Sequence, residues 1–234
     1  MKKNNKHLII GFGEIGRSLF NILKQHYNVV FRDKDDNLSG RFNVVHICYP
    51  YSKNFIKTTK NYLKQYKPKL LIIHSTIPVG ITKKISNLAV HSPIRGIHPQ
   101  LEKGIKTFVK YFGGNKVKEA EKIFSDIGIK TRYFAKSETT ELLKILDTTY
   151  YGWNIIFAKE VKRICDKLKL NFDDVYTIAN KDYNDGYKKL GKSNVVRPVL
   201  KAMSRKIGGH CIVKNCDLLD DWITKIIKER NKKY

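Results

Sequence analysis

The chain has 234 residues, enough for one large domain or two modest ones with a buried core. Its 46 basic residues against 21 acidic ones give a formal charge of +25, but the lysines are dispersed and form no dense block or nucleic-acid motif. The charge therefore reads as solvated surface that draws anionic small molecules, with nucleic acid an unlikely partner. No apolar run reaches membrane-spanning length, and the N-terminus leads into a strand without a signal-peptide pattern, which points to a cytoplasmic protein with no membrane partner.

In chain order, segments 7–10, 28–32, 43–49, 69–74 and 129–134 are short and rich in Val, Ile, Leu and Phe, and read as buried strands. Between them, 14–26 carries Ile15, Leu19, Ile22 and Leu23 on one helical face, and 54–66 and 116–127 show the same period. Strands alternating with helices imply right-handed crossovers and a parallel, doubly wound sheet: an α/β, Rossmann-like domain over 1–136. The glycines and prolines of 86–114 are read as strand and loop. From Ser137 to Lys169 there is no proline, and Leu142, Leu146, Thr149, Trp153, Phe157, Val161, Ile164 and Leu168 fall along one stripe. About 30 residues give a helix of roughly 45 Å. Lys144, Tyr151, Ile155 and Ala158 cluster on nearly the opposite side. A helix apolar on two faces wants two neighbours, its own domain and a partner subunit. The expectation is an all-α domain over 137–234 and a homodimer through helix 137–169, with further helices joined by a loop around 186–210.

Chemistry enters at Gly11-Phe12-Gly13-Glu14-Ile15-Gly16, which closes the first strand and opens the first helix. The first glycine makes a tight turn, the second admits a pyrophosphate and the third lets helix pack on strand, with free N–H groups at the helix start for the phosphates. Asp33, 17 residues past Gly16, stands where an acid holds a ribose 2′-hydroxyl, which favours NAD over NADP; Arg32 and Lys34 flank it and could tolerate a 2′-phosphate.

Of four cysteines, Cys48 ends an apolar strand and Cys165 lies on a helical stripe, so both read as core. Cys211 follows Gly208-Gly209-His210, where the backbone comes close to a substrate and a thiolate can attack a carbonyl. The spacing of Cys216 and His210 from Cys211 suits no familiar zinc site, and no metal is expected.

With these residues in view the chain resembles the UDP-glucose/GDP-mannose dehydrogenase family, within the wider 6-phosphogluconate dehydrogenase-like superfamily. The landmarks run in order: the glycine fingerprint, His46-Ile47-Cys48-Tyr49-Pro50, Ser75-Thr76-Ile77-Pro78-Val79-Gly80, Thr140-Glu141-Leu142-Leu143-Lys144 and Gly208-Gly209-His210-Cys211. They span nearly the whole chain but only the first two of the family's three domains. The resemblance implies a two-step NAD-linked oxidation of a sugar-type alcohol. Cys211 would be the nucleophile, Lys144 would stabilise the oxyanion, and Thr76 would position water beside the nicotinamide. Tyr49 and Ser75 would join Thr76 along the cofactor, and Arg197 and Gly208 would join Lys144 on the substrate. Three positions depart from the family pattern. Asn215 replaces an aspartate after the nucleophile, and Thr148 replaces an asparagine after the lysine. An N-P-E loop appears as His98-Pro99-Gln100 or Ser92-Pro93-Ile94, without its glutamate. His98 or His210 could then serve as base. Two other readings stay open at this level: a non-catalytic nucleotide-binding protein that kept the fold, and a basic nucleic-acid-binding protein. Cys211 could instead be an inert buried thiol, Lys144 one of many surface lysines, and Thr76 a mere turn residue.

Overall fold

A computed structural model describes residues 5–34, 36–201, 204–209 and 211–234. Contacts divide the chain into two compact units, Met1–Lys144 and Ile145–Tyr234, and the division falls inside one long helix.

In the first unit seven strands form one sheet: β1 (Lys6–Ile10), β2 (Asn28–Arg32), β3 (Val44–Ile47), β4 (Leu70–Ile73), β5 (Ala89–His91), β6 (Lys110–Gly114) and β7 (Thr131–Phe134). Their order is β2-β1-β3-β4-β5-β6-β7. Alternate residues enter two cores. Ile9, Val44, Ile72, Val90 and Phe112 pack with α1 (Glu14–Leu23), α4 (Leu101–Thr107) and α5 (Val117–Ser125). Leu8, Ile10, Val45, Ile47, Leu71 and Ile73 pack with α2 (Phe55–Tyr66) and α3 (Ile81–Ile85). A sheet covered on both faces needs apolar residues at every strand position, hence the unbroken hydrophobic runs. Chain order reverses about β1, with β2 on one side and β3 on the other. The carboxyl ends of β1 and β3 therefore border the switch-point crevice where such sheets bind ligands.

The sheet departs from full parallelism at one pair. β6 runs antiparallel to β5, with Val90 opposite Gly114 and His91 opposite Gly113. The two glycines, which read as loop, permit this. A Cβ at Gly114 would stand 2.9 Å from the Ala89 carbonyl oxygen, and one at Gly113 would stand 2.6 Å from Thr140 Oγ1 and 2.7 Å from the Lys136 carbonyl oxygen.

The long helix α6 (Ser137–Leu168) has 32 residues, matching its expected extent. Its buried side in the second unit carries Ile145, Thr149, Gly152, Ile156 and Cys165, while Leu146, Tyr150, Phe157, Ile164 and Leu168 are exposed. The sequence stripe thus corresponds largely to the exposed side, and Tyr151, assigned to the second apolar face, is exposed as well. Gly152 explains part of the misreading. A Cβ there would meet Ile212 Cγ2 at 2.8 Å and Ile227 Cδ1 at 3.2 Å, so the helix packs closely at a residue with no side chain. After α6 come a π-helical turn at Asp173–Ile178, α7 (Ala179–Lys189), α8 (Ile212–Asn215) and α9 (Trp222–Asn231). Ile156, Ile207, Cys216 and Ile227 form this unit's core.

Candidate functional site

The loop leaving β1 enters the crevice through a glycine that nothing larger could replace. Gly11 has φ +93°, and a Cβ there would stand 2.8 Å from the Tyr49 backbone nitrogen. At Gly16 a Cβ would fall 2.0 Å from the Gly11 carbonyl oxygen, so α1 can sit on its strand only over a bare backbone. Gly13 differs: nothing lies within 4 Å of where its Cβ would be, and as N-cap of the ten-residue α1 it leaves the helix start without a side-chain cap. Close backbone approach at Gly13 beside uncapped helix N–H groups fits a pyrophosphate. Phe12 stacks on Phe31 at 3.5 Å between centroids, and half-buried Ile15 packs on the core. Glu14 Oε2 pairs with His98 Nδ1 at 2.6 Å.

Asp33 is exposed at the end of β2, its Oδ1 accepting from the Lys34 N–H at 3.0 Å. Arg32 does not share that exposure. It is 8% exposed, its Nη1 donates to the Tyr66 hydroxyl at 2.7 Å, and its guanidinium lies 5.2 Å from the Tyr62 ring. The expectation that Arg32 could tolerate a 2′-phosphate is corrected: Tyr66 draws it into the protein, and of the two flanking cations only Lys34 is exposed.

The turn Ser75–Gly80 follows β4 along the same edge. Ser75 Oγ donates to the Tyr49 carbonyl at 2.6 Å, joining the ends of β4 and β3. The Tyr49 hydroxyl donates to Thr59 Oγ1 at 2.6 Å, and the Thr59 hydroxyl donates to the Phe55 carbonyl at 2.7 Å. Thr76 is half-buried between these points. At the far end of the turn the N–H groups of Gly80 and Thr82 donate to the Glu141 carboxylate at 2.5 and 2.8 Å. Glu141 has no exposed surface; burial pushes its pKa up, and the two N–H bonds oppose that rise. His91 Nε2–H donates to the Ser75 carbonyl at 3.1 Å, which leaves Nδ1 to accept from the Thr140 hydroxyl at 2.9 Å. Burial above all pulls His91 down to about 3, with the charges of Lys110 and Lys144 adding to it, so its imidazole is neutral. Lys144, half-buried, lies one helical turn after Thr140 and so on the same face of α6.

In the second unit Cys211 is exposed at the start of α8 rather than buried, whereas Cys165 and Cys216 are buried. Gly208 is exposed, and Gly209 takes φ +82°, a conformation that favours glycine. His210 lies outside the described residues. The two departures from the family pattern meet: Asn215 Nδ2 donates to Thr148 Oγ1 at 3.2 Å, and the Thr148 hydroxyl donates to the Ile145 carbonyl. Arg197 is clamped at its backbone by Asn184, at 2.7 and 2.8 Å, and its guanidinium lies 3.4 Å from the Tyr183 ring centroid.

Sequence reasoning missed His91 and Glu141 as organisers, and with them a polar line through the first core. His7 Nδ1 contacts His46 Nε2 and His46 Nδ1 contacts His74 Nε2, each at 3.0 Å, and His74 Nδ1 meets the Ser92 carbonyl at 2.8 Å. A carbonyl only accepts, so each Nδ1 carries the proton and the donors all run toward Ser92. Lys110 Nζ also donates to that carbonyl, at 3.2 Å. The signal was a set of single histidines on neighbouring apolar strands, visible only once register is known.

Residues 138–226 match the model of the UDP-glucose/GDP-mannose dehydrogenase family, central domain. UDP-N-acetyl-D-mannosamine dehydrogenase of Methanococcus maripaludis is 30% identical over 174 residues, covering 70% of this chain and 36% of its own length. The enzyme of that name from Methanocaldococcus jannaschii is 28% identical over 194 residues, covering 78% of this chain and 40% of its own. The chain thus spans well under half the length of these relatives. Among solved structures, the UDP-D-ManNAc dehydrogenase of Pyrococcus horikoshii superposes with TM-score 0.78 at 19% identity, covering 97% of this chain and 68% of the other. A 3-hydroxyisobutyrate dehydrogenase from Mycobacterium tuberculosis gives 0.72 at 14% identity, covering 98% and 93%. At these identities the structures establish the fold alone.

Proposed function

Because the chain belongs to the UDP-glucose/GDP-mannose dehydrogenase family, we propose that it is an NAD-dependent oxidoreductase acting on the primary alcohol of a sugar nucleotide. The observation that carries this is the crevice after β1, sealed around Gly11 and Gly16 and open at Gly13. Gly11 to Gly16 would hold the pyrophosphate, exposed Asp33 the ribose diol, and Tyr49, Ser75 and Thr76 the nicotinamide side. The inward turn of Arg32 supports NAD over NADP. Bound NAD supplies the hydride acceptor.

In this reading Cys211 adds to the aldehyde left by the first oxidation, giving a thiohemiacetal. The second oxidation leaves a thioester, and water releases the carboxylate and restores the thiol. One alcohol, two NAD⁺ and one water become a carboxylate, two NADH and three protons. Lys144 stabilises the alkoxide and Thr76 holds the water. Arg197 binds the anionic part of the substrate, and Gly208 lets the backbone approach it. A thiol that must stay reduced suits the cytoplasm. The exposed stripe of α6 is assigned to a second copy of the chain, giving a homodimer. Among the described residues no helix is long and apolar enough to cross a membrane.

A second reading, a cofactor-binding protein without turnover, is favoured by the uncharged Thr148–Asn215 pair, which has no carboxylate to take a proton. Thermal shift with NAD and NADP, followed by absorbance in the reduced-nicotinamide band over a panel of nucleotide sugars including UDP-N-acetyl-D-mannosamine, separates the two. The enzyme reading expects stabilisation that grows with NAD concentration. It also expects turnover, and a loss of acid product of at least about a hundredfold in Cys211→Ser. NAD binding without turnover on any member of the panel favours the second reading, and no response to NAD removes both.

A further inference from the structure

The turn that carries Thr76 is held at both ends, and both holders trace to the same two residues. At its first residue the Ser75 carbonyl accepts from His91, whose other nitrogen accepts from Thr140. At its last residue the Gly80 N–H donates to Glu141, which also takes the Thr82 N–H. Thr140 and Glu141 are consecutive in the opening of α6, and Lys144 follows one turn later on the side of Thr140.

We infer that Glu141 and the Thr140–His91 pair are positioning residues, locking the Thr76 turn and the Lys144 helix into one frame. The inference rests on the proposed roles of Thr76 and Lys144. The chemistry of the three side chains suits the task. Glu141 is fully buried, and its carboxylate matches two converging N–H donors; losing either oxygen as an acceptor would orphan a buried donor. Thr140 and His91 are also fully buried, so no solvent competes for the Thr140 hydroxyl proton, which His91 Nδ1 shares with the Ser137 carbonyl, each 2.9 Å away. His91 can link a carbonyl to a hydroxyl only as one tautomer, with Nε2 protonated and Nδ1 bare, and its depressed pKa keeps it in that neutral form. The start of α6 is itself pressed onto β6 at Gly113, where a Cβ would collide with Thr140 Oγ1 at 2.6 Å. The helix start therefore has little room to drift, and the turn inherits its position. Displacing a site residue by about 1 Å can cost about a hundredfold in rate, so a frame of this kind acts on turnover more than on cofactor affinity.

The test uses the full chain with Thr140→Val, Thr140→Ser and Glu141→Gln. Valine keeps the shape of threonine and removes only the hydroxyl; serine keeps the hydroxyl. Amide hydrogen exchange is followed over residues 75–82, and kcat and the KM for NAD are measured on the nucleotide sugar that wild type oxidises fastest in the panel above. Expected are faster exchange in the Val and Gln variants and a fall in kcat of about 10- to 100-fold. The KM for NAD should stay within about twofold, and Thr140→Ser should recover wild-type kcat. Faster exchange with unchanged kcat overturns the inference and leaves a structural tie, as does an equal loss in the Ser and Val variants. Unchanged exchange overturns the frame itself. A wild type that turns over nothing overturns the proposed activity, and the inference falls with it for that separate reason.

Discussion

Gly13 and Gly16 stand three residues apart in one motif, yet the space around them is opposite. A Cβ at Gly16 lands 2.0 Å from backbone, which no side-chain movement relieves, while one at Gly13 meets nothing within 4 Å. The φ of −68° at Gly13 is open to any residue, so its freedom from a side chain serves something other than the fold. Gly16→Ala should therefore destabilise the first unit by about 3 kcal/mol or more, at the top of the overpacking range. Gly13→Ala should leave the melting temperature within about 2 °C of wild type, the effect of a surface change, while sharply reducing the stabilisation by NAD. Thermal unfolding of both variants with and without NAD reads this directly. A Gly13→Ala protein that responds to NAD like wild type would show that the open space does not receive the cofactor. Gly11, with its positive φ and the Tyr49 nitrogen 2.8 Å from any Cβ, belongs with Gly16 as a residue of construction.

Among the elements, β1 to β4 and the helices α1 and α2 were legible because a sheet buried on both faces leaves continuous apolar runs with helical periods between them. β5 and β6 were not. Three residues, Ala89-Val90-His91, carry too little pattern, and Lys110-Tyr111-Phe112-Gly113-Gly114 opens on a buried lysine and closes on glycines demanded by neighbours far away in sequence. The same limit hid the site's organisers: Glu141 and His91 look like ordinary polar residues until Gly80, Thr82 and Ser75 arrive beside them. For α6 the period was legible and the face was not. Leu146, Phe157, Ile164 and Leu168 sit at helical spacing yet are 37, 60, 46 and 59% exposed, and this row is what a second copy of the chain would cover. Ile164→Glu combined with Leu168→Glu changes two exposed side chains of this row, so the variant should fold normally and sediment as a monomer where wild type is a dimer. A monomeric wild type at micromolar concentration would remove the helix-mediated dimer; a dimer that survives both charges would move its interface elsewhere.

At the scale of the whole molecule, surface charge and buried polar groups act on stability with the same sign. The chain carries +25 at pH 7, and net charge of this size opposes the compact state through self-repulsion that eases as lysines lose protons. Inside the first unit, burial lowers His7 to about 4 and His91 to about 3, and lowers Lys110 to about 7. Lys110 is 5% exposed, with Phe112, Phe124, Cys48, His74 and the Ser92 carbonyl around it. A group whose pKa falls on folding gives up stability as pH drops, because the unfolded chain takes a proton that the folded chain refuses. For Lys110 that window runs from its unfolded value of about 10.4 down to about 7, so raising the pH from 7 to 9 should add about 2 kcal/mol. For His7 the window runs from about 6.5 to about 4 and amounts to about 3 kcal/mol lost on acidification. Stability should therefore climb from pH 5 through pH 9, where an ordinary domain is already past its maximum. Lys110→Met, unbranched and similar in length, should be more stable than wild type at pH 7 and should lose most of the gain between pH 7 and 9. Urea unfolding followed by circular dichroism at pH 5, 7 and 9 in fixed salt measures all of this. A wild-type optimum near pH 7, or a Lys110→Met variant with an undiminished alkaline rise, would show that the buried amine is not what couples this fold to protons.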